Sequence, residues 1–385
     1  MERMATNAAT GAQQDAEQTG TTSSLEGILN TRFIVNVAEL CARLDLPAST
    51  IEDAAEASQG FPLLFPESTL SRVRKNDPND PVLKQFLPSK QELETVPGFS
   101  CDPLCEHQLT VSEQDESACV LQKYAGRALV ITTNACAGRC RFCFRRYFPK
   151  NRALFPLPKE AVDTHDATDK SKLAEQTDKY FDRAFASVRN NPTISELIFS
   201  GGDPLTLPNE SLTALLYYIR RLGHVKRVRF HTRVPVLTPG RIGEDFPAFD
   251  DFQEGRELDP LILHIALHIN APEEIDETVV RSLLKLRRKG YILTSQTVLL
   301  RGINDNVDTL VRLYEKLVNL GVIPYYLFQL DRVQGAAHFE TPVSVGRALI
   351  EKLSERVPGY AVPQYSREIA GRPMKTNLFI DRSEN

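Results

Sequence analysis

The stretch Cys136-Ala-Gly-Arg-Cys140-Arg-Phe-Cys143 places three cysteines within eight residues, and it decides how the rest of the chain is interpreted. It follows the apolar run 127–133, Arg-Ala-Leu-Val-Ile-Thr-Thr, which is typical of a buried strand. Three thiolates from one loop can bind three irons of a [4Fe–4S] cluster, which usually has four cysteine ligands. No fourth cysteine follows at short spacing, so the fourth iron is free to bind S-adenosylmethionine.

The same cysteines leave two other interpretations open. Structural zinc sites use four nitrogen or sulfur ligands, often as two close cysteine pairs. The other close pair is Cys101 and Cys105, about 30 residues upstream of the cysteine loop. A loop that binds no metal is the third interpretation. The spacing favours the iron–sulfur loop over both.

Composition limits the class of protein. The chain has 385 residues, of which 42% are hydrophobic and 25% charged, as expected of a globular protein with a sizeable core. The net charge of −4 argues against a nucleic-acid partner, and no apolar run approaches the length of a membrane span. Seven cysteines, an odd number, do not indicate a secreted disulfide framework. These features predict a cytoplasmic protein whose thiols stay reduced.

The pattern of apolar residues changes near residue 123. From 25 to 97, apolar residues at helical spacing predict short helices interrupted by prolines. After 123, strands are predicted to alternate with helices, which indicates parallel βαβ units. The predicted strands are 128–133, 196–200, 227–231, 261–267, 291–300 and 324–330, and the clearest predicted helices are 212–222, 276–288 and 307–320.

Six such units are too few for a closed eight-stranded barrel, so the α/β fold class is predicted as an open or partial (β/α)6 barrel. In such barrels the chemistry lies at the C-terminal ends of the strands, where the cysteine loop also falls. The polar segment 151–188 is predicted to be an insertion that leads into a helix. Residues 1–24, rich in Ala, Thr, Gln, Gly and Ser, are predicted to be a disordered leader.

A second motif, Phe199-Ser-Gly-Gly-Asp-Pro204, ends the second predicted strand. Its two glycines, Gly201 and Gly202, would let the backbone approach a ligand closely, and Asp203 could accept a hydrogen bond from an amino or hydroxyl group. Alone, such a motif is more often a simple turn. After a strand and downstream of the cysteine loop, it becomes a plausible contact for S-adenosylmethionine.

These two motifs, together with Gln296-Thr-Val-Leu-Leu-Arg-Gly-Ile-Asn-Asp305, resemble the lysine 2,3-aminomutase family of radical S-adenosylmethionine enzymes. One branch of that family is more similar still, the short bacterial aminomutases that make (R)-β-lysine for attachment to elongation factor P. The segments that carry this similarity are 76–81, 330–339, 359–363 and 367–376. The resemblance covers the chain from about residue 25 to its C-terminus.

The resemblance implies three cofactors: a [4Fe–4S] cluster, S-adenosylmethionine and pyridoxal 5′-phosphate. Cys136, Cys140 and Cys143 would bind the cluster, and Lys375 would bind pyridoxal phosphate covalently. The remaining implied cofactor contacts are Lys123, Tyr124 and Arg127 for pyridoxal phosphate, Ser200, Gly201, Gly202 and Asp203 for S-adenosylmethionine, and His268 and Gln296 around the cofactors. The implied domains are a leader (1–24), an N-terminal helical region (25–120), a radical S-adenosylmethionine partial barrel (121–340) and a C-terminal segment with the lysine (341–385).

Substrate contacts follow from the same resemblance. Arg145 would bind the carboxylate of L-lysine as a bidentate fork, although its neighbour Arg146 is hard to distinguish from it by sequence. Asp331 and Glu368 would bind the ε-ammonium group. Glu368 falls where clostridial-type members carry an aspartate, which leaves the partner of that ammonium open. Without the resemblance, Lys375 and Arg127 would be interpreted as surface charges, and His268 and Gln296 as polar core residues.

The resemblance also implies partners: L-lysine, an electron donor of the flavodoxin or ferredoxin type, and a pathway link to the ligase that modifies elongation factor P. It does not extend to the oligomeric state. Three alternatives stay open at this point. The first is an aminomutase for another amino acid, such as arginine or glutamate. The second is a radical enzyme without pyridoxal phosphate, and the third a non-catalytic metal-binding scaffold.

Overall fold

The computed structural model describes residues 24–108, 119–149, 152–155, 170–255 and 258–380. The predicted leader lies outside the described residues except for Ser24, and so do 151 and 156–169 of the predicted insertion. Within the described ranges, every helix falls short of the length and apolarity that a membrane span requires.

The strands form two sheets among the described residues. In chain order they are β1 (Phe33–Ile34), β2 (Phe65–Pro66), β3 (Val120–Tyr124), β4 (Arg127–Thr133), β5 (Glu196–Gly201), β6 (Arg227–Thr232), β7 (Ile262–His268), β8 (Ile292–Leu299), β9 (Ile323–Gln329), β10 (Gln364–Arg367) and β11 (Thr376–Asn377). β1 and β2 pair with each other, and the other nine form one open sheet in the order β11-β10-β9-β8-β7-β6-β5-β4-β3. Strands β4 to β10 are parallel, and the edge strands β3 and β11 are antiparallel to their neighbours.

Helices separate most of the parallel strands. These are α3 (Lys170–Ala184), α4 (Ala186–Arg189), α5 (Asn209–Arg221), α6 (Val234–Leu237), α7 (Glu277–Arg288), α8 (Val307–Asn319) and α9 (Val343–Ser354), while α1 (Val37–Arg43) and α2 (Ala48–Gly60) precede the large sheet. Side-chain caps fix where some of them begin. Asp276 accepts a hydrogen bond from the Val279 amide at 3.0 Å before α7, and Asn306 accepts one from Thr309 at 2.9 Å before α8.

The partial barrel predicted from sequence is confirmed, with one more parallel strand than predicted. All six predicted strands are present, and the seventh is β10, which comes from the C-terminal segment and pairs with β9. The segment that carries Lys375 is therefore part of the same sheet. Helix α3 lies within the predicted insertion 151–188, so the second half of that segment is helical.

The N-terminal region differs from the prediction after Gly60. Helices α1 and α2 are present, but the described chain between 61 and 108 contains 3₁₀ turns and the two-residue strand β2 instead of α-helices. Prolines recur through this stretch, and each lacks the amide hydrogen that a helix interior needs. This region contacts the cysteine loop through the backbone. The Arg139 amide donates to the Leu64 carbonyl at 3.1 Å, and the Arg141 amide donates to the Gln85 carbonyl at 2.9 Å. The region thereby anchors the cysteine loop.

Candidate functional site

A single cavity inside the curved sheet collects every residue that the sequence assigned to the site. Those residues are Lys123, Tyr124, Arg127, Cys136, Cys140, Cys143, Arg145, Ser200, Gly201, Gly202, Asp203, His268, Gln296, Asp331, Glu368 and Lys375. The cavity extends along β4, from Arg127 at the start of that strand to the cysteine loop that follows it. Seven residues of extended strand span about 20 Å, so the cavity has two separate ends.

The cysteine loop lines one end of the cavity. Burial, followed by the charges of the neighbouring cysteines, raises the pKa of the Cys136 thiol well above its usual range, and burial raises that of Cys143 to about 11. Such thiols ionise readily only when a metal stabilises the thiolate. Within the described ranges, no three cysteine, histidine or acidic side chains converge on the position of a single metal ion. Three thiolates on one loop fit a [4Fe–4S] cluster in which each cysteine binds a different iron.

The glycines of the Ser-Gly-Gly-Asp turn are required by the approach of β5 to the cysteine loop. A Cβ atom on Gly202 would lie 2.1 Å from the carbonyl oxygen of Ala135, and one on Gly201 would lie 2.6 Å from that of Thr133. Gly201 also has φ +112°, a conformation that other residues rarely adopt. The amide of Gly202 donates to the Thr133 carbonyl at 2.6 Å. These glycines therefore hold the start of the cysteine loop against β5.

Asp203 lines the cavity, but its carboxylate is engaged by the protein. Oδ1 accepts hydrogen bonds from the Leu205 amide at 3.0 Å and the Thr232 hydroxyl at 2.6 Å. Oδ2 accepts from the amides of Arg233 and Val234 at 2.6 and 3.2 Å. Four donors occupy the usual acceptor positions of a carboxylate. In this structure Asp203 ties the end of β5 to the end of β6.

His268 and Gln296 face each other across adjacent strands, where the register pairs them directly. Burial, reinforced by the Arg233 guanidinium, lowers the pKa of His268 to about 3. Gln296 Nε2 lies 3.4 Å from Nε2 of His231, whose pKa is also lowered, by burial and then by Arg229. Both imidazoles are therefore neutral. They line the cavity between its two ends with uncharged polar side chains.

Lys375 lies at the other end of the cavity, opposite Glu368. The register of β10 and β11 pairs Arg367 with Thr376. Glu368, which follows Arg367, is therefore a neighbour of Lys375, which precedes Thr376. Lys375 Nζ accordingly lies 2.6 Å from Glu368 Oε2. The rings of Phe328, Tyr124 and Tyr326 surround the amine, with centroids 5.3, 5.6 and 6.0 Å away. An amine enclosed by aromatic rings fits the covalent attachment of a pyridine cofactor.

Arg127 offers a positive charge near this amine. Its guanidinium lies 5.1 Å from the centre of the Tyr124 ring, and among the described residues no carboxylate is within ion-pairing distance of it. A phosphate dianion needs fixed positive charge of this kind. Lys123, the other predicted phosphate contact, is already shared between Glu106 at 3.1 Å and Glu368 at 2.5 Å.

The structure distinguishes the adjacent arginines that the sequence left ambiguous. Arg145 lines the cavity and donates through Nη1 to the Ser200 hydroxyl at 2.7 Å. Arg146 does not line it, and its Nη2 lies 3.2 Å from Glu92, the acid that also receives Arg141. Arg145 is thus accessible from the cavity, while Arg146 helps to anchor the cysteine loop.

The two acids predicted to bind the substrate ammonium differ in availability. Both oxygens of Glu368 are occupied by Lys123 and Lys375. Among the described residues, no cation pairs with the Asp331 carboxylate at ion-pair distance. Burial, followed by repulsion from Glu368, raises the pKa of Asp331 to about 7. Because the ionised form of Asp331 is destabilised, an added cation would stabilise it strongly. Asp331 is therefore better placed than Glu368 to receive an ammonium group.

Among the cavity residues that sequence reasoning missed, Arg233 and Glu106 make the closest contacts with the assigned ones. Arg233 donates to Cys140 Sγ at 2.9 Å and to Glu274 at 2.7 Å, and its position directly after β6 was a signal that could have revealed it. Glu106 receives Arg145 and Lys123, although it precedes Arg145 by 39 residues. No local pattern marks Glu106, because its partners come from other parts of the chain.

Comparison with known proteins agrees with this geometry. Residues 130–314 match the model of the radical SAM superfamily, a span that runs from β4 into α8. It contains the cysteine loop and the Ser-Gly-Gly-Asp turn.

Curated relatives extend the match over most of the chain. The L-lysine 2,3-aminomutase of Escherichia coli (strain K12) is 39% identical over 322 residues, which is 84% of this chain and 84% of that protein. The protein of the same name from Haemophilus influenzae is 34% identical, covering 88% and 90%. That from Clostridium subterminale is 33% identical, covering 91% of this chain but 78% of its own longer one. The cavity, the superfamily match and these relatives together show that the chain belongs to the L-lysine 2,3-aminomutase family of radical S-adenosylmethionine enzymes.

Proposed function

We propose that this chain converts L-lysine to β-lysine by moving the amino group from the α-carbon to the β-carbon. It is an isomerase by family, and the family's cofactors are a [4Fe–4S] cluster, S-adenosylmethionine and pyridoxal phosphate. The observation that carries the proposal is the meeting of Lys375, Arg145 and Asp331 with the cysteine loop in one cavity. These groups match the amine-carrying cofactor, the carboxylate and the distal ammonium of a lysine substrate.

The protein's own part in this reaction is to bind, orient and exclude water. When bound, the cluster with S-adenosylmethionine supplies a carbon radical for hydrogen abstraction, and pyridoxal phosphate carries the migrating amino group. Arg145 would hold the substrate carboxylate, and Asp331 would hold the ε-ammonium. With both ends of lysine fixed, its β-carbon is presented between the two ends of the cavity. Arg127 and Lys123 would hold the cofactor phosphate beside Lys375.

The product is proposed to be (R)-β-lysine, destined for the ligase that modifies elongation factor P. The segments that resemble the short bacterial branch support this finer assignment, above all Leu330-Asp-Arg-Val-Gln-Gly-Ala-Ala-His-Phe339. Electrons for the cluster would come from a donor of the flavodoxin or ferredoxin type.

The deciding experiment is anaerobic. The chain is reconstituted with iron and sulfide and given pyridoxal phosphate, S-adenosylmethionine, dithionite and L-lysine. Mass spectrometry then follows 5′-deoxyadenosine and β-lysine, and chiral chromatography assigns the product's configuration. Both products should form in the intact chain, and β-lysine should be lost in Cys140→Ala and in Lys375→Ala. Cys41→Ala, a change at a buried cysteine outside the cavity, is the matched control.

Other outcomes separate the alternatives. If 5′-deoxyadenosine forms without β-lysine, the substrate is a different amino acid, and a panel with arginine and glutamate identifies it. If neither product forms from a chain that carries its cluster, the non-catalytic scaffold becomes the better explanation. (S)-β-lysine as the product would refute the link to elongation factor P while leaving the reaction intact.

A further inference from the structure

Glu106 lies at the junction of two parts of the cavity that the family assigns to different ligands. Its side chain is buried, with 2% of the residue exposed. Oε2 accepts a hydrogen bond from Arg145 Nε at 2.6 Å, and Oε1 accepts from Arg145 Nη2 at 2.9 Å. Oε1 also lies 3.1 Å from Lys123 Nζ. One carboxylate therefore contacts both Arg145, which is proposed to bind the substrate carboxylate, and Lys123, which is proposed to bind the cofactor phosphate.

The bidentate contact determines which edge of Arg145 remains available. Glu106 occupies the side of the guanidinium formed by Nε and Nη2, and Ser200 receives Nη1. A second carboxylate must then bind at the outer end, through the remaining hydrogens of Nη1 and Nη2. Burial by itself would raise the pKa of Glu106, but Arg145 and then Lys123 outweigh it and lower the pKa to about 2. Glu106 is therefore an anion at any working pH.

Glu106 is itself held in place through its backbone. Its amide donates to Asp102 Oδ1 at 2.9 Å, and its carbonyl accepts from Arg152 Nη1 at 3.2 Å. Lys123 in turn contacts Glu368, which contacts Lys375. The contacts form a continuous chain of alternating charge from Arg145 to Lys375, in which Glu106 links Arg145 to Lys123.

We propose that Glu106 is a positioning residue that sets the orientation of Arg145 toward the substrate carboxylate and of Lys123 toward the cofactor phosphate. The proposal rests on the function proposed above. Its role is geometric, because the anchored backbone cannot follow a shorter side chain. Glu106→Asp keeps the charge but withdraws the carboxylate by about 1.5 Å, the length of one carbon–carbon bond. That retreat breaks contacts that are 2.6 to 3.1 Å long.

The test compares Glu106→Asp with the intact chain, both reconstituted with iron and sulfide. The first readout is the dissociation constant of pyridoxal phosphate, from absorbance titration without S-adenosylmethionine or lysine. We expect it to rise several-fold, because Lys123 loses its orientation while the local charge is unchanged. The second readout is kcat/KM for L-lysine, expected to fall on the order of 10-fold, because a displaced orienting group loses part of what the removal of Arg145 would cost.

Glu92→Asp is the matched control. Glu92 is also a buried acid that receives two cations, Arg141 and Arg146, but it does not line the cavity. Its variant should lower the melting temperature without changing the affinity for pyridoxal phosphate. Wild-type affinity and wild-type kcat/KM in Glu106→Asp would overturn the proposal, since only charge would then matter.

A second variant tests the proposal if Glu106→Asp fails to fold. If Glu106→Asp does not retain iron, Glu106→Gln is measured instead, because it keeps the length of the side chain but presents one acceptor oxygen to Arg145. Wild-type kcat/KM in that variant would also overturn the proposal. If the intact chain forms no β-lysine, the proposed function fails, and the pyridoxal phosphate titration of Glu106→Asp alone decides whether Glu106 positions Lys123.

Discussion

Arg145 and Arg146 are consecutive in the sequence, yet their guanidinium groups pair with different acids in different environments. Arg145 donates to Glu106 inside the cavity, and Arg146 donates to Glu92 beside the anchored cysteine loop. Arg145 is thereby available to a ligand, and Arg146 contributes to stability.

This relationship gives the first prediction. Arg145→Met should lower kcat/KM for lysine roughly 10- to 100-fold, because a charged hydrogen bond to the substrate contributes about 1.5–3 kcal/mol. Arg146→Met should leave kcat/KM within a few-fold and lower the free energy of unfolding by about 1–3 kcal/mol. Steady-state kinetics and thermal unfolding of both variants check this. Equal kinetic losses in the two would contradict the assignment.

The second prediction concerns pH. Burial and Glu368 raise the pKa of Asp331 to about 7, so the carboxyl is mostly neutral below that pH and charged above it. The ε-ammonium of lysine stays protonated throughout this range. KM for lysine should therefore rise as the pH falls from 8 to 6, a range that brackets the Asp331 pKa of about 7. Asp331→Asn should weaken lysine binding and abolish this pH dependence; near-normal turnover in that variant would refute the role of Asp331.

The third prediction concerns Lys375. Borohydride reduction of the chain with pyridoxal phosphate should attach the cofactor covalently, because the amine lies among aromatic rings inside the cavity. Peptide mass spectrometry should locate the adduct at Lys375, and Lys375→Ala should lose it together with the visible absorbance band. Lys352→Ala, a change at an exposed lysine of α9, should retain both. A band that survives Lys375→Ala would favour a radical enzyme without pyridoxal phosphate.

The fourth prediction tests the close approach at the Ser-Gly-Gly-Asp turn. In Gly202→Ala the added methyl would lie 2.1 Å from the Ala135 carbonyl oxygen, so β5 and the cysteine loop must separate. Such overpacking costs about 1–3 kcal/mol or more. We expect a lower melting temperature and less iron bound after reconstitution. Gly359→Ala, where no atom lies within 4 Å of the added carbon, should match the intact chain in both measurements.

Local sequence was enough to predict much of this protein. Strands such as 196–201 are apolar runs buried on both faces of a parallel sheet, and their composition reveals them directly. The three cysteines are close in the chain, so their spacing alone was enough to predict an iron–sulfur loop. Lys375 and Glu368 were identified by resemblance, because nothing in their local spacing distinguishes them from surface charges.

Other features were decided by the tertiary structure, because they depend on contacts between distant parts of the chain. β10 has four residues and little hydrophobic pattern, and it becomes a strand by pairing with β9. Lys123 meets Glu368 across 245 residues, which changes Glu368 from a free substrate contact into a partner of two lysines. The sequence by itself determined which chemical groups are present and which local elements carry them. Their pairing was decided by folding, since burial removes water and a buried charge is then stabilised mainly by partners that the fold brings from distant parts of the chain.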